Sequence, residues 1–520
     1  MNAEETEVAM AVDITLGGWF EERVKLTPNR RCLTFEGETW SYATMLERID
    51  HVAAALREGG VRHGDRVAFL GLNHPAFFET LFAAARLGAI FVPLNFRLTP
   101  PELSFIINDA GVHTIVADDM LRAAIDSVRD ELPCQRYLAS ESAAEGWTTL
   151  APARAEAESA AGAPALREPV DPDEVALIMY TSGTTGRPKG AMLTHANLWW
   201  NNTTALLLTD LLENDVSLVV APLFHIGGLN VTTLQAWMKG AENVLHRSFD
   251  PGKFLEDIAR YDVTVAFAVP AMLLFVSQHP DFADADLTTV RSFVCGGAPV
   301  PEALIKLFIG RGIQVNQGYG LTETAPCVTF LTPEHALAKV GSAGRAPMFI
   351  DVRLLDSDDN VVTEPQARGE ICVRGPNVMK GYWNRPEATR AAIDPEGWFH
   401  TGDVGYFDAD GFLFVADRIK DMVITGGENV YPAEVEGILY THPAVADVAV
   451  IGLPDARWGE AVTAVVVLQG DAELTLEELR EFATESLARF KLPSRLEIVD
   501  VLPRNPAGKV LKFDLRDRFG

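Results

Sequence analysis

The run VALIMYTSG, residues 175–183, constrains the fold more than any other stretch of this chain. Its apolar residues follow one another without polar alternation, which marks a strand covered on both faces. Strands of that kind belong to parallel sheets flanked by helices, and they present ligand loops at their carboxyl ends. The loop here is TSGTTGRPKG, residues 181–190. Its glycines let the backbone approach a ligand closely. Its hydroxyls and freed backbone N–H groups are donors, and Lys189 adds a compact positive charge. The combination describes a grip on a polyanion, most simply a phosphate chain. It is not a Walker A loop, because Gly190 follows Lys189 where Ser or Thr is required. A flexible surface hairpin is the competing reading, and the buried strand ahead of the loop weakens it.

The rest of the chain repeats the strand-and-helix alternation. ETWSYATMLERIDHVAAALREGG, from about residue 38, has helical periodicity and ends in a glycine pair. DRVAFLGL (65–72) and IFVPLN (90–95) read as strands around the helix PAFFETLFAAARLG. Alternation resumes in VSLVVAPLFHIGG, TVAFAVPAMLL and VRSFVCGGAPVP, which predicts parallel sheet with helices on its faces. Residues 139–172, rich in Ala, Glu and Pro, read as a solvated linker with little core, and residues 1–12 as a loose tail. From about 340, RLLDSDDNVV, GEICVRG and GFLFVADR are short strands with turn signals, a small β-rich subdomain. AEVEGILYTHPAVADVAVIGLPD and LTLEELREFATESLARF restart α/β alternation in a final domain of about a hundred residues.

Composition excludes several classes. The 520 residues carry a formal charge of −28, which repels nucleic acid and anionic lipid. The five cysteines have no CxxC or CxxxC spacing, so neither a disulfide framework nor a metal site is expected, and their usage fits a reducing compartment. The acidic start, MNAEETEVAM, lacks the basic region of a signal peptide. The most apolar window, 76–93, contains Glu79 and Arg86, so a buried helix running into a strand is expected rather than a membrane span. The expected location is the cytoplasm.

Three further stretches carry chemistry. In NQGYGLTETAP (316–326), glycines frame Tyr319, whose flat face could meet a ring, and Thr322–Glu323 could serve a hard cation such as Mg²⁺. A turn in which Thr322 and Glu323 only cap a helix is the alternative. In GWFHTGDVGYFDADGFLFVADRIKDMVITGGENVYPAEVE (397–436), Asp403 follows a glycine in a turn. Its carboxylate suits a ribose diol, with Arg418 nearby as a fork of donors. Either could equally be a turn residue or a surface ion pair. In LPRNPAGKVLKFDLR (502–516), a Pro-Ala-Gly turn exposes Lys509, or the segment is only a solvated basic tail.

Taken in order, the 181–189 loop, GGAP, GYGLTE, TGD, DRIKD, GGEN and GK make the chain resemble the acyl-adenylate-forming enzymes, and among them the AMP-forming acyl-CoA synthetases. The resemblance covers nearly the whole chain. It implies an α/β fold with a large N-terminal domain, 13–417, of parallel-sheet α/β subdomains plus a small β-rich subdomain. A hinge at 418–421, centred on Lys420, and a small mobile α+β C-terminal domain, 422–520, follow. It implies that Thr181, Ser182, Gly183, Thr184, Thr185 and Lys189 wrap the phosphates of ATP. Gly296, Gly297, Ala298 and Pro299 would line the adenine and acyl pockets, and Tyr319, framed by Gly318 and Gly320, would stack on adenine beside Asn316 and Gln317. Thr322 would contact the α-phosphate, Glu323 would hold Mg²⁺, and Asp403 and Arg418 would bind ribose. Lys509 would reach the reacting carboxylate, and the Gly426–Gly427–Glu428 turn would replace it when CoA reacts. Lys491 and Trp458 are further candidates for CoA contact.

His225, in PLFHIGGLN, is either structural or a gate on the acyl pocket. Gly227, Gly228 and Gly320 would leave volume there, with Ile226, Leu229, Val231 and Leu321 as apolar lining. Such a pocket leads to the expectation of a medium- to long-chain fatty acid. An aryl acid of the hydroxycinnamate or benzoate type, and loading of a carrier protein in place of CoA, are the alternatives. The expected partners are the acid, ATP and CoA, with no nucleic acid and no transmembrane segment, in a monomer or homodimer.

Overall fold

The computed structural model describes residues 12–150, 167–181, 188–298, 300–418, 421–425, 428–455, 458–484, 486–487, 489–504 and 510–520. It divides into two compact units. The first runs to Val340 and takes in Ala346–Asp351 and Arg374–Gly397; the second holds Gly341–Arg345, Val352–Val373 and Trp398–Gly520.

Two eight-stranded sheets build the first unit. In one, six parallel strands, Gln314–Gly320, Ser292–Gly296, Val265–Ala268, Val216–Val219, Glu242–Leu245 and Arg31–Phe35, lie between antiparallel edges Cys327–Leu331 and Glu38–Ser41. In the other, Val175–Thr181 leads a parallel set through Ile90–Leu94, Arg66–Leu70, Val112–Ala117, Arg136–Ala139 and Thr148–Thr149. Antiparallel strands Lys189–Thr194 and Gly381–Tyr382 extend its other side. The unbroken apolar run of Val175–Thr181 is explained by its central place: Ala176, Leu177, Ile178 and Met179 are all buried.

Polar chemistry places the helix ends. The helix expected from about residue 38 begins at Tyr42, because Glu38–Ser41 pairs as an edge strand and the Ser41 hydroxyl caps the helix by accepting from Thr44 N at 3.1 Å. The helix Pro75–Arg86 is buried throughout and leads into Ile90–Leu94. Its two charges are paired, Glu79 with Arg48 at 2.6 Å and Arg86 with Asp50 at 2.7 Å. Among the described residues no helix is long and apolar enough to cross a membrane.

The segment 139–172 departs from the expected linker in its first third. Trp147 and Leu150 are buried, and Thr148–Thr149 extends the sheet. Trp147 packs edge-on against Tyr137, with ring centroids 5.4 Å apart. Trp147, Leu150 and the strand pairing together anchor this stretch despite its Ala/Glu-rich composition. The loose-tail expectation and residues 151–166 of the linker lie outside the described residues.

Apart from the end residues Asp351 and Arg374, the second unit holds a four-stranded sheet, Asp351–Leu355, Arg368–Arg374, Phe399–Phe407 and Leu413–Arg418. It also contains a five-stranded sheet around the long pair Val445–Asp455 and Gly459–Leu468, which packs the helices Pro432–Leu439 and Leu476–Thr484 over a Val- and Leu-rich core.

Candidate active site

The strands on either side of residues 182–187 pair antiparallel. Thr181 lies opposite Lys189 in the antiparallel register of Val175–Thr181 and Lys189–Thr194. The preceding residue anchors it, since the Tyr180 hydroxyl donates to Asp109 Oδ2 at 2.8 Å and Arg385 holds the other oxygen at 2.6 Å. Burial and the neighbouring carboxylate push the Tyr180 hydroxyl far above its usual range, so it stays a donor.

Glu323 meets this strand pair from the other sheet. It sits in a short 3₁₀ turn, Thr322–Thr324, at the carboxyl end of Gln314–Gly320, and it is buried. Its Oε1 accepts from the Tyr382 hydroxyl at 2.9 Å and from Thr181 Oγ1 at 3.5 Å. Lys189 Nζ lies 5.2 Å from the centroid of the Tyr382 ring. Burial first, and then Glu323, hold the Tyr382 hydroxyl well above the usual tyrosine range. A carboxylate, two hydroxyls and an ammonium therefore converge at the root of the loop. Hard oxygen donors of this kind suit Mg²⁺ and phosphate, and Glu323 is the carboxylate among them that could hold the ion.

Four buried asparagines hold this region in place. Asn377 Nδ2 donates to Thr324 O at 2.6 Å and to Cys327 O at 2.7 Å. Asn230 Nδ2 donates to Ala325 O at 2.6 Å, and Asn201 Oδ1 accepts from Cys327 N at 3.0 Å. Asn197 caps its helix through a reciprocal box with Thr194, and its Nδ2 also reaches Pro376 O at 2.8 Å and Val378 O at 2.9 Å. Sequence reading missed these four and Tyr382. Isolated asparagines carry no periodicity, though the Asn-Val-Met-Lys-Gly-Tyr stretch at 377–382 is a glycine-marked break that could have drawn attention.

Parallel strands deliver the remaining residues of the first unit at their carboxyl ends, as the topology requires. Gly296 ends Ser292–Gly296, and Gly297, with φ +85°, turns the chain so that Ala298 is exposed. Asn316, Gln317, Gly318, half-buried Tyr319 and Gly320 form the end of Gln314–Gly320. Asn316 Oδ1 and Gln317 Nε2 are buried without a hydrogen-bond partner among the described residues. Desolvated groups of that kind suit a polar ligand.

The space beside Gly227, Gly228 and Gly320 is occupied in the direction a side chain would take. A Cβ on Gly227 would lie 3.0 Å from the Phe267 ring, and one on Gly296 would lie 3.6 Å from it. Beside Gly228 stands the Pro222 carbonyl, 2.3 Å from an added Cβ, and beside Gly320 the Pro326 carbonyl at 1.6 Å. These glycines serve close backbone approach and an aromatic wall rather than open space. Ile226 and Leu229 are buried. His225 precedes the short helix Ile226–Asn230 and contacts Phe224, ring to ring, at 4.3 Å. Its Nε2 is buried without a described partner, and burial, aided by Arg97, lowers its pKa to about 4. At neutral pH it presents an uncharged ring.

In the second unit, Asp403 lies within the nine-residue strand Phe399–Phe407 rather than in a free turn. The register with Arg368–Arg374 jumps from Cys372↔His400 to Glu370↔Val404, so Thr401–Gly402–Asp403 bulge out. Gly402, at φ +71°, supplies the positive φ that the bulge needs. Thr401 Oγ1 donates to Ile371 O at 2.7 Å and accepts from Asp403 N at 3.0 Å, while Gly402 N donates to Glu370 Oε1 at 3.0 Å. Asp403 is 5% exposed and faces Arg418 in backbone register. Lys491 is engaged by Glu434, whereas Trp458 is 49% exposed. Ser182, Gly183, Thr184, Thr185, Pro299, Lys420, Gly426, Gly427 and Lys509 lie outside the described residues, as do the side chains of Arg418 and Glu428.

Comparison with known proteins identifies the family. Residues 20–383 match the family described as AMP-binding enzyme, and residues 434–509 match the AMP-binding enzyme C-terminal domain. A feruloyl-CoA synthase from Amycolatopsis sp is 45% identical over 505 residues, covering 97% of this chain and 99% of its own. A long-chain-fatty-acid–CoA ligase of Mycobacterium tuberculosis is 41% identical over 92% of this chain and 93% of its own. Among solved structures, the o-succinylbenzoate coenzyme A synthetase of Bacillus subtilis in complex with ATP and magnesium ion superposes with a TM-score of 0.84. It is 34% identical and covers 96% of this chain and 99% of that one.

Proposed function

The chain belongs to the AMP-binding enzyme family as an AMP-forming acid–thiol ligase, and from that premise we propose that its acid is an aryl carboxylate of the hydroxycinnamate type. The observation that carries the proposal is the 45% identity, across almost the full length of both chains, to a feruloyl-CoA synthase. The Phe267 ring against Gly227 and Gly296 supports it, because a flat wall favours a flat ring. The fatty-acid expectation rested on open volume beside Gly227, Gly228 and Gly320, where an added Cβ would meet Phe267, Pro222 and Pro326. The 41% identical fatty-acid ligase keeps a long alkyl acid as the second reading.

The reaction has two steps. A carboxylate oxygen attacks the α-phosphorus of ATP, the bond to the bridging oxygen breaks, and pyrophosphate leaves. The CoA sulfur then attacks the acyl carbon, the mixed anhydride opens, AMP leaves, and the thiol proton passes to solvent. In the first step anions approach one another, so oriented positive charge and donors lower the barrier. We assign Thr181 to Thr185 and Lys189 to the triphosphate, Thr322 to the α-phosphate, and Tyr319, Asn316 and Gln317 to adenine. Asp403 and Arg418 take the ribose. Tyr382 orients Glu323. Mg²⁺, held by Glu323, would offset phosphate charge when bound. Lys509 serves the first step and the Gly426–Gly427–Glu428 turn the second. His225 borders the acyl group as an uncharged ring.

The test is pyrophosphate release with ATP and Mg²⁺ over ferulate, coumarate, cinnamate, benzoate, octanoate and palmitate, with and without CoA. Ferulate or coumarate should give the highest kcat/KM, and the thioester and AMP should accumulate only with CoA. Preference for palmitate would favour the second reading. Acid-dependent pyrophosphate release that yields no CoA thioester would move the acceptor to a carrier protein.

A further inference from the structure

We propose that Glu370, Cys372 and His400 form a binding site for a thiophilic divalent cation of the zinc class. All three lie in the second unit, on the adjacent strands Arg368–Arg374 and Phe399–Phe407. Cys372 stands opposite His400 in register, and Glu370 lies two residues back on the same face of its strand. One ligand atom from each, Sγ, Nδ1 and a carboxylate oxygen, falls within 4.8 Å of the others.

Two of the three edges between ligand atoms are near those of a coordination polyhedron, and the sulfur–oxygen edge lies within 4.8 Å. Cys372 Sγ is 3.6 Å from His400 Nδ1, and His400 Nδ1 is 2.9 Å from Glu370 Oε2. With a zinc–sulfur bond of about 2.3 Å and a zinc–nitrogen bond of about 2.0 Å, a tetrahedral angle sets sulfur and nitrogen about 3.5 Å apart. The sulfur–nitrogen edge therefore already has the required length. The nitrogen–oxygen edge must open by about 0.5 Å to reach the corresponding value. A strand-borne Glu and a part-exposed imidazole can make that shift without moving the backbone.

The surroundings support the same reading. Cys372 is fully buried, while the His400 and Glu370 side chains are 24% and 22% exposed, so an ion can enter from the solvent side and meet the sulfur at the floor. Gly402 N–H donates to Glu370 Oε1, which orients the carboxylate and leaves Oε2 for the ion. Such an outer hydrogen bond is what a ligating carboxylate ordinarily carries. Thiolate, imidazole and carboxylate together select zinc or cobalt over magnesium. As the sulfur–metal bond forms, the thiol proton leaves to solvent; the His400 proton that Nδ1 gives to Glu370 passes through solvent to Nε2, and the freed Nδ1 lone pair binds the ion in place of that hydrogen bond. The site lies directly beneath the bulge that carries Asp403, and Gly402 hangs from one of its ligands. It is distinct from the hard-donor cluster at Glu323.

Cobalt and zinc titration of the full chain tests this, after treatment with EDTA under reducing conditions. One cobalt ion per chain should bind with a near-ultraviolet thiolate-to-cobalt band, and zinc should displace it. Cys372→Ser should abolish the band and weaken zinc at least tenfold in competition with a chromophoric chelator. His400→Gln should weaken zinc to a similar degree, and Cys134→Ser should retain the band. Circular dichroism establishes that each variant is folded; should Cys372→Ser fail to fold, the His400→Gln and Glu370→Gln variants carry the test. No stoichiometric thiolate band in the parent protein, or a band that survives the Cys372 or both other substitutions, would overturn the proposal.

Discussion

The Tyr382 hydroxyl donates to Glu323 Oε1 at 2.9 Å, joining two residues 59 positions apart at the root of the loop that begins at Thr181. A hydrogen bond to a charged group contributes about 1.5–3 kcal/mol, and its loss leaves a buried oxygen short of a donor. Tyr382→Phe should therefore lower kcat/KM for ATP by about tenfold or more, since about 1.4 kcal/mol corresponds to a factor of ten. The Mg²⁺ concentration needed for half-maximal rate should rise. A merely structural tyrosine would leave that magnesium dependence unchanged.

Asn377 donates to two buried carbonyls, Thr324 O and Cys327 O. Asn377→Ala strands both, at about 1–3 kcal/mol for each unsatisfied group. The thermal midpoint should fall by several degrees, and KM for ATP should rise because the turn carrying Glu323 loses its support. A melting curve and an ATP titration on one preparation check both effects.

His195 accepts from Leu16 N at 3.2 Å through Nδ1, and burial lowers its pKa to about 4 against a weaker opposing effect of Glu174. An unfolded histidine titrates near 6.5, so below that pH the unfolded chain takes up a proton that the folded chain refuses. Stability is fully present above about pH 6.5 and falls toward pH 4, by up to about 1.4 kcal/mol per pH unit for one such group. His195→Asn, whose Oδ1 can replace Nδ1 as acceptor, should lessen the loss of urea resistance between pH 7 and pH 5. An unchanged loss would remove His195 from the acid response.

Phe267 stands against Gly227 and Gly296. Phe267→Leu should shift preference from aryl toward alkyl acids, lowering the ferulate-to-octanoate ratio of kcat/KM by about tenfold, within the range that small changes in an apolar pocket produce. Competition between the two acids in one vessel measures that ratio directly.

Lys509→Ala should reduce acid-dependent pyrophosphate exchange by about 10²–10³, the usual cost of removing one oriented donor, and should spare thioester formation from supplied acyl-AMP. Gly427→Leu should show the opposite pattern. Equal loss of both half-reactions in either variant would refute the division of labour between the two segments.

The one-dimensional pattern was enough for what depends on local order. An unalternating apolar run marked Val175–Thr181 as a central strand, because burial on two faces demands particular residue types. The order of short motifs carried the family, and the helix-to-strand reading of 76–93 held because two charges forbid a membrane span yet can pair inside a protein. Only the tertiary structure decided which residues meet. Tyr382 reaches Glu323, four scattered asparagines hold backbone carbonyls and an amide, Phe267 stands in the space expected beside Gly227, and Glu370, Cys372 and His400 converge across a bulge. None of these has a spacing to read. A side-chain contact between distant segments is set by sheet order and register, which follow from burying the whole apolar surface at once.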